Sequence, residues 1–293
     1  MDETADLQSV DTLSGSVLKV WLLNDLSEAR QALEAGVLPL DKAIHLARRR
    51  LKRVRSLLRV VKSIPGSDTA LPGAQNRAQP VIDAFRLMSG ARDMAAMLAA
   101  AEWLANHTET EASRDLVDRL RGKLDEARNQ PVAIQTVVRL LRIAETDVAS
   151  LADAFNPAIL LRQNLVATYR KGRQLYRRAL DSRDSDDETL HDWRKRVKHR
   201  MHLGQIIGGT GLLAVTSPLT DLDRLAEYLG DEHDLANLAA WISADPALAD
   251  RPQDLAPLTA AISRRRVKLT NRALDLGHDL YGQRTERFAR ELG

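Results

Sequence analysis

Apolar residues recur at three- and four-residue intervals along most of this chain, with polar residues between them, the pattern of amphipathic helices. From Val17 to Ala35 it is carried by Leu18, Leu22, Leu26 and Leu33, and Gly36 and Pro39 punctuate its end. Asp41 suits a helix start for residues 41–62, where Ile44, Leu51, Val54, Leu57, Leu58 and Val61 fill one side. A Pro/Gly-rich loop over residues 64–79 leads to a helix predicted over 81–106. Two more are predicted over 109–129 and 132–155, divided by Pro131, and Pro157 starts another that runs to residue 181. Helices over 187–209, 219–245 and 258–281 complete the series. No run of alternating β-branched residues interrupts it, so the predicted fold class is all-α.

Charge changes this picture more than hydropathy does. The formal net charge is only +3, but the 43 basic and 40 acidic residues are unevenly placed. Residues 41–62 hold nine Lys/Arg against one acid. Residues 187–209 open acidic, with residues 184–189 expected to cap the helix, and then carry Arg194, Lys195, Arg196, Lys198 and Arg200. His191, His199 and His202, three of the seven histidines, are threaded among them.

On a helical wheel with His191 at zero, Arg194, Lys195, Lys198, His202 and Gln205 lie within about 60°. Leu190, Trp193, Val197 and Ile207 take the opposite side; Arg196 and Arg200 fall on that packing side or its border and do not fit the simple division. With His45 at zero, Arg48, Arg49, Lys52, Ser56 and Arg59 share a face in the same way. An offset of 146 residues places His45 on His191, Arg48 on Arg194, Arg49 on Lys195 and Lys52 on Lys198, with Arg53 on His199 and Ser56 on His202. A second correspondence pairs Met88-Ser89-Gly-Ala-Arg92-Asp93 with Leu229-Gly230-Asp-Glu-His233-Asp234. The chain therefore reads as an internal repeat: a polar leader over 1–16, then one domain over 17–290 built from about 17–155 and about 156–290.

A leading His, Arg at +3 and Lys at +7 on a long helix, then an LGxx(R/H)D helix, twice in one chain, resembles the CHAD family, the conserved histidine α-helical domain. The likeness covers roughly residues 20–290, and its second half is the closer match. It implies two pseudo-symmetric helical bundles whose basic helices line a central groove. It also implies inorganic polyphosphate as ligand and association with polyphosphate granules. Some members carry a fused, strand-rich domain that hydrolyses triphosphate. Nothing here resembles it, and a stand-alone, non-catalytic binding protein is expected.

The residues fit that expectation on their own terms. Polyphosphate offers a line of anionic oxygens and no bases, so it calls for a track of Lys and Arg with several donors each. His45, Arg48, Arg49, Lys52, Arg59, His191, Arg194, Lys195, Lys198 and His202 are the expected contacts. Arg55 and Arg173 are secondary candidates, and Arg92 and His233 are peripheral ones. The Asp beside each of the last two is expected to cap a helix start or orient its neighbour. The chief rival ligand is the nucleic-acid backbone, a weaker competitor because aromatics for base stacking are nearly absent from the basic faces. A third possibility is an enzyme or metal-dependent scaffold acting on phosphorylated substrates. Against it, no Walker-type loop or paired-carboxylate motif is present, and like charge crowds His199-x-x-His202, so no metal or cofactor is expected.

Zero cysteines exclude disulfides and thiolate metal sites. No apolar run spans a membrane, the leader lacks a signal-peptide core, and a cytoplasmic location is the expectation. His107 and His278 read as surface residues, while the arginines at 264–266 and 272 divide between groove lining and solvated surface.

Overall fold

Residues 16–62, 78–107, 111–128, 132–151, 156–181, 187–210, 219–244 and 255–292 are described by a computed structural model of the chain. Regular structure among them is entirely helical. The order is α1 (Ser16–Glu34), α2 (Leu40–Lys62), α3 (Gln79–Leu87), α4 (Ser89–Ala105), α5 (Glu111–Arg128) and α6 (Ile134–Ala149), then α7 (Pro157–Asp181), α8 (Asp187–Thr210), α9 (Leu219–Ala244), α10 (Ala256–Tyr281) and α11 (Thr285–Arg290).

The apolar stripes bury themselves in two clusters. The larger joins α1, α2, α3, α6, α7 and α8 with the first half of α9, the end of α10 and α11. The smaller joins α4 and α5 to the second half of α9 and the first half of α10. Tyr228 on α9 packs against both. The basic helices α2 and α8 touch each other. That contact decides whether the cations of the two halves can act on one ligand.

Trp193 anchors α8 and is fully buried, as the wheel predicts. Its ring centroid lies 5.5 Å from that of Tyr176 on α7 and 6.2 Å from that of Tyr281 on α10. Gly277 lets α10 approach this close: a Cβ there would meet the indole at 2.7 Å. Arg200, a charge that the wheel puts on the packing side, is 2% exposed. Its guanidinium lies about 5 Å from the ring centroids of Tyr169, Tyr281 and Phe288 and donates to the Leu280 carbonyl at 2.8 Å. Cation–π attraction and this hydrogen bond together make a buried arginine tolerable.

Three expectations change. The helix predicted over 81–106 is divided at Met88 into α3 and α4. The Phe85 carbonyl there accepts from the Ser89 hydroxyl at 2.9 Å and from Arg48 Nη1 at 3.3 Å, so a side chain of α2 is built into the break. His233-Asp234 lies in the interior of α9, where no terminal N–H is open, so Asp234 caps nothing. Asp187 and Glu188 form the first turn of α8 rather than a loop before it, a position the helix dipole favours for acids. Helix α11 had no sequence expectation; Phe288 and Leu292 tie this segment to the larger core. No helix among the described residues is long and apolar enough to cross a membrane.

Candidate functional site

A cavity of about 600 Å³ opens where α2 and α8 meet α3, α4 and α9. Helix α2 contributes Arg48, Lys52, Arg55, Ser56 and Arg59. Helix α8 contributes His191, Arg194, Lys195, Lys198, His199 and His202. Phe85, Ser89, Ala96 and Met97 close one side, and His233, Asp234 and Asn237 of α9 the other. Thus Arg48, Lys52, Arg55, Arg59, His191, Arg194, Lys195, Lys198, His202 and His233 come together from the sequence candidates.

Others do not. His45 and Arg49 are exposed and absent from the cavity wall. Arg173, on α7, points its Nη2 to the Gly282 carbonyl at 3.5 Å, beyond the end of α10. Arg92 lies outside the residues whose side chains are described. None of the α10 arginines lines the cavity: Arg265 lies over Trp103, Arg272 over Tyr228, and Arg266 pairs with Glu232 at 2.7 Å and with Asp187. His107 stacks on Trp103, and it and His278 are exposed, as expected.

The two leading arginines are held at matching places. Arg48 Nη1 donates to the Ser89 hydroxyl at 2.9 Å. Arg194 lies over Gly230, where a Cβ would sit 3.1 Å from its Nη2. Ser89 and Gly230 are the positions that the sequence pairs across the two halves, as it pairs the arginines. A small residue at each lets a guanidinium lie flat along the neighbouring helix. Arg48 and Arg55 also stack on the Phe85 ring, at 4.2 and 5.0 Å from its centroid.

Burial and like charge leave the site short of negative charge. His199 and His202 are 3% and 6% exposed. Nδ1 of His199 and both ring nitrogens of His202 lack a hydrogen bond of normal geometry, although the nearby Gln205 side chain favours the protonated His202. Burial first, then the cations Arg59 and Arg196, pushes His199 down to about 3. Burial, Lys198, Lys52 and Arg53 push His202 down to about 4 against the pull of Gln205. His191 falls to about 4 through burial, through His233, whose ring centroid is 4.2 Å away, and through Lys195 and Arg194. Lys198 is lowered by burial and by Arg194, while Asp223, Glu227 and Asp234 oppose the shift. Arg55 is likewise lowered by burial and Arg86. An anion entering here would meet donors whose charge is under-compensated.

No cluster of three or more His, Asp or Glu among the described residues is arranged to hold a metal ion. Asp234 and Asn237 are groove residues that the wheels of the basic helices could not show, because they come from a different helix. His199 lines the cavity beside His202 but was not among the expected contacts.

Residues 22–243 match the CHAD domain family. The chain belongs to that family. Its fold is similar to that of PptA from Streptomyces chartreusis, with a TM-score of 0.66 at 15% identity over 92% of this chain and 99% of the other. It is also similar to the CHAD domain from the plant Ricinus communis, with a TM-score of 0.55 at 19% identity over 92% of each chain. No curated protein matches the chain. The α2–α8 groove lies within the span matched to the CHAD domain.

Proposed function

We propose that this CHAD protein binds inorganic polyphosphate in the α2–α8 groove without turning it over, and attaches to polyphosphate granules through that contact. The reading rests on cations from two separate basic helices facing one cavity, with buried histidines at its wall. A phosphate chain laid there can accept from Lys and Arg on both sides, and its charge relieves their mutual repulsion. The 3% to 6% exposure of Arg48, His199 and His202 places part of this donor set away from bulk water, where charge-assisted hydrogen bonds are strongest.

The stacking argument against nucleic acid gains a structural basis. Phe85 is the one Phe, Tyr or Trp among the described residues of the cavity wall, and Arg48 and Arg55 lie against its ring, where a base would stack. The test is competition: long-chain polyphosphate, labelled and bound, is challenged with duplex DNA or RNA at equal phosphate concentration. Retention of polyphosphate is expected, and displacement at parity would sink the reading. Incubation with polyphosphate and divalent metal checks the non-catalytic half; steady release of inorganic phosphate would overturn it.

A further inference from the structure

Helix α9 carries a line of acids beside this cationic groove. Asp223, Glu227, Asp231 and Asp234 are spaced four, four and three residues apart, which keeps them within about 80° on one face. The first three are exposed, and the fourth is half-buried in the cavity wall. This face is turned to the groove. Asp223, Glu227 and Asp234 act on Lys198 through space, and Asp231 is acted on by Arg194 and by Arg265 of α10.

The corresponding segment of the first half differs in sequence. The offset that pairs Arg92-Asp93 with His233-Asp234 places Ile82, Arg86, Gly90 and Asp93 where α9 has its four acids. In sequence, only one of the four α9 acids has an acidic counterpart in the first half. Carboxylates at the edge of an anion site would weaken it without return if attraction were all that mattered. They lie alongside groove cations that burial has already made costly, and Lys198 gains support from three of them.

Resting on the polyphosphate reading above, we infer that the acidic face of α9 is a selectivity rim, which admits a single flexible phosphate chain to the groove and repels wide, stiff polyanions such as duplex nucleic acid. A thin chain can follow the cations of α2 and α8 along the cavity. A duplex presents many phosphates on a broad surface, cannot enter a cavity of about 600 Å³, and must rest on the rims. There its phosphates meet the α9 carboxylates within a Debye length of about 8 Å, too close to be screened at physiological salt. Repulsion of the wrong partner is a known route to specificity when the attractive contact is shared.

The test measures binding of long-chain polyphosphate and of duplex DNA at one salt concentration, for three proteins. The first is the unaltered chain and the second carries Asp223→Asn, Glu227→Gln and Asp231→Asn. The third carries Asp115→Asn, Asp118→Asn and Glu126→Gln on α5, exposed positions outside the groove, with the same change in net charge. In the α9 variant the preference for polyphosphate over duplex is expected to fall about tenfold, by gain of duplex binding, while the α5 variant keeps it within about twofold. Glu227→Gln alone should move it in the same direction by less, and circular dichroism establishes that each protein folds. An unchanged preference in the α9 variant, or an equal loss in the α5 variant, overturns the inference and leaves the polyphosphate reading standing. An unaltered protein that holds no polyphosphate overturns that reading instead, and the selectivity rim with it.

Discussion

Helices α2 and α8 present similar cations to one groove but are backed in different ways. Behind α2, Asp25 of α1 is 2% exposed. Arg53 Nε lies 3.0 Å from its Oδ2 and Arg50 Nη1 lies 3.3 Å from its Oδ1. Glu28 takes the other end of Arg50. Burial raises the Asp25 pKa, and Arg53 and Arg50 pull it back. Behind α8 there is instead an aromatic wall, with Trp193 in the core and Arg200 boxed by Tyr169, Tyr281 and Phe288. A repeated sequence thus keeps the face that meets a ligand and lets the backing diverge. The backing needs only to hold the helix in place, and an ion-pair network or an apolar core will do that.

The difference should appear first in stability. Trp193→Ala removes a fully buried indole and is expected to cost about 3–5 kcal/mol in denaturant unfolding. Asp25→Asn weakens an ion-pair network whose arginines are partly exposed, for about 1–2 kcal/mol, and only this loss should shrink in high salt. A Trp193→Ala protein as stable as the parent would remove the aromatic wall from the comparison.

Ligand binding should show the likeness instead. Lys52→Glu and Lys198→Glu each place a carboxylate among the groove cations, and each is expected to weaken polyphosphate binding at least about thirtyfold, as for a loss of about 2 kcal/mol or more. The helical circular dichroism should stay as it is. Full binding by either variant would mean that only one half of the groove is used.

Acid should weaken the second half more than the first. His191 and His202 sit near 4 and His199 near 3 in the folded chain, against about 6.5 when unfolded. Below pH 6.5 the unfolded chain therefore binds protons that the folded chain refuses, so stability is complete above that pH and is lost as pH falls toward 4. Thermal melts between pH 7 and 4.5 should show the fall, and His199→Gln should flatten it. Polyphosphate should reduce it too, since a bound anion favours the charged imidazoles and binding then takes up protons. A flat melt profile would mean that these imidazoles keep ordinary pKa values.

The smallest effect separates two residues that the repeat pairs. His45 is exposed and outside the groove, whereas His191 lies against His233 inside it. His45→Ala should change polyphosphate affinity less than about twofold, and His191→Ala severalfold, measured at equal salt. Equal losses would extend the groove past Arg48 to the start of α2.

Much of the site was legible because a helix turns a linear spacing into a face. The wheel found Arg48, Lys52, Arg59, Arg194, Lys195 and Lys198, and the apolar positions opposite them put Trp193 in the core. His45 and Arg49 passed the same geometric test and still lie outside. A wheel gives direction around a helix axis but not where along the axis a neighbouring helix covers it. His191 has α9 above it through His233; His45 is exposed, and its paired counterpart of His233 is Arg92, whose side chain lies outside those described. The break at Met88 was hidden for a related reason. The Arg48 guanidinium reaches into it from another helix, and no local propensity records that.

By itself the sequence determined the all-α class, most helix boundaries and the two cationic faces, because these follow from intervals of three and four residues. Only the tertiary structure decided that α2 and α8 touch, that the Arg48 and Arg194 guanidiniums lie on Ser89 and Gly230, and that Asp234 of α9 lines the cavity. Those outcomes depend on how buried apolar surfaces pack between helices distant in sequence. Periodicity within one helix contains no record of the distance or angle at which the next will lie against it.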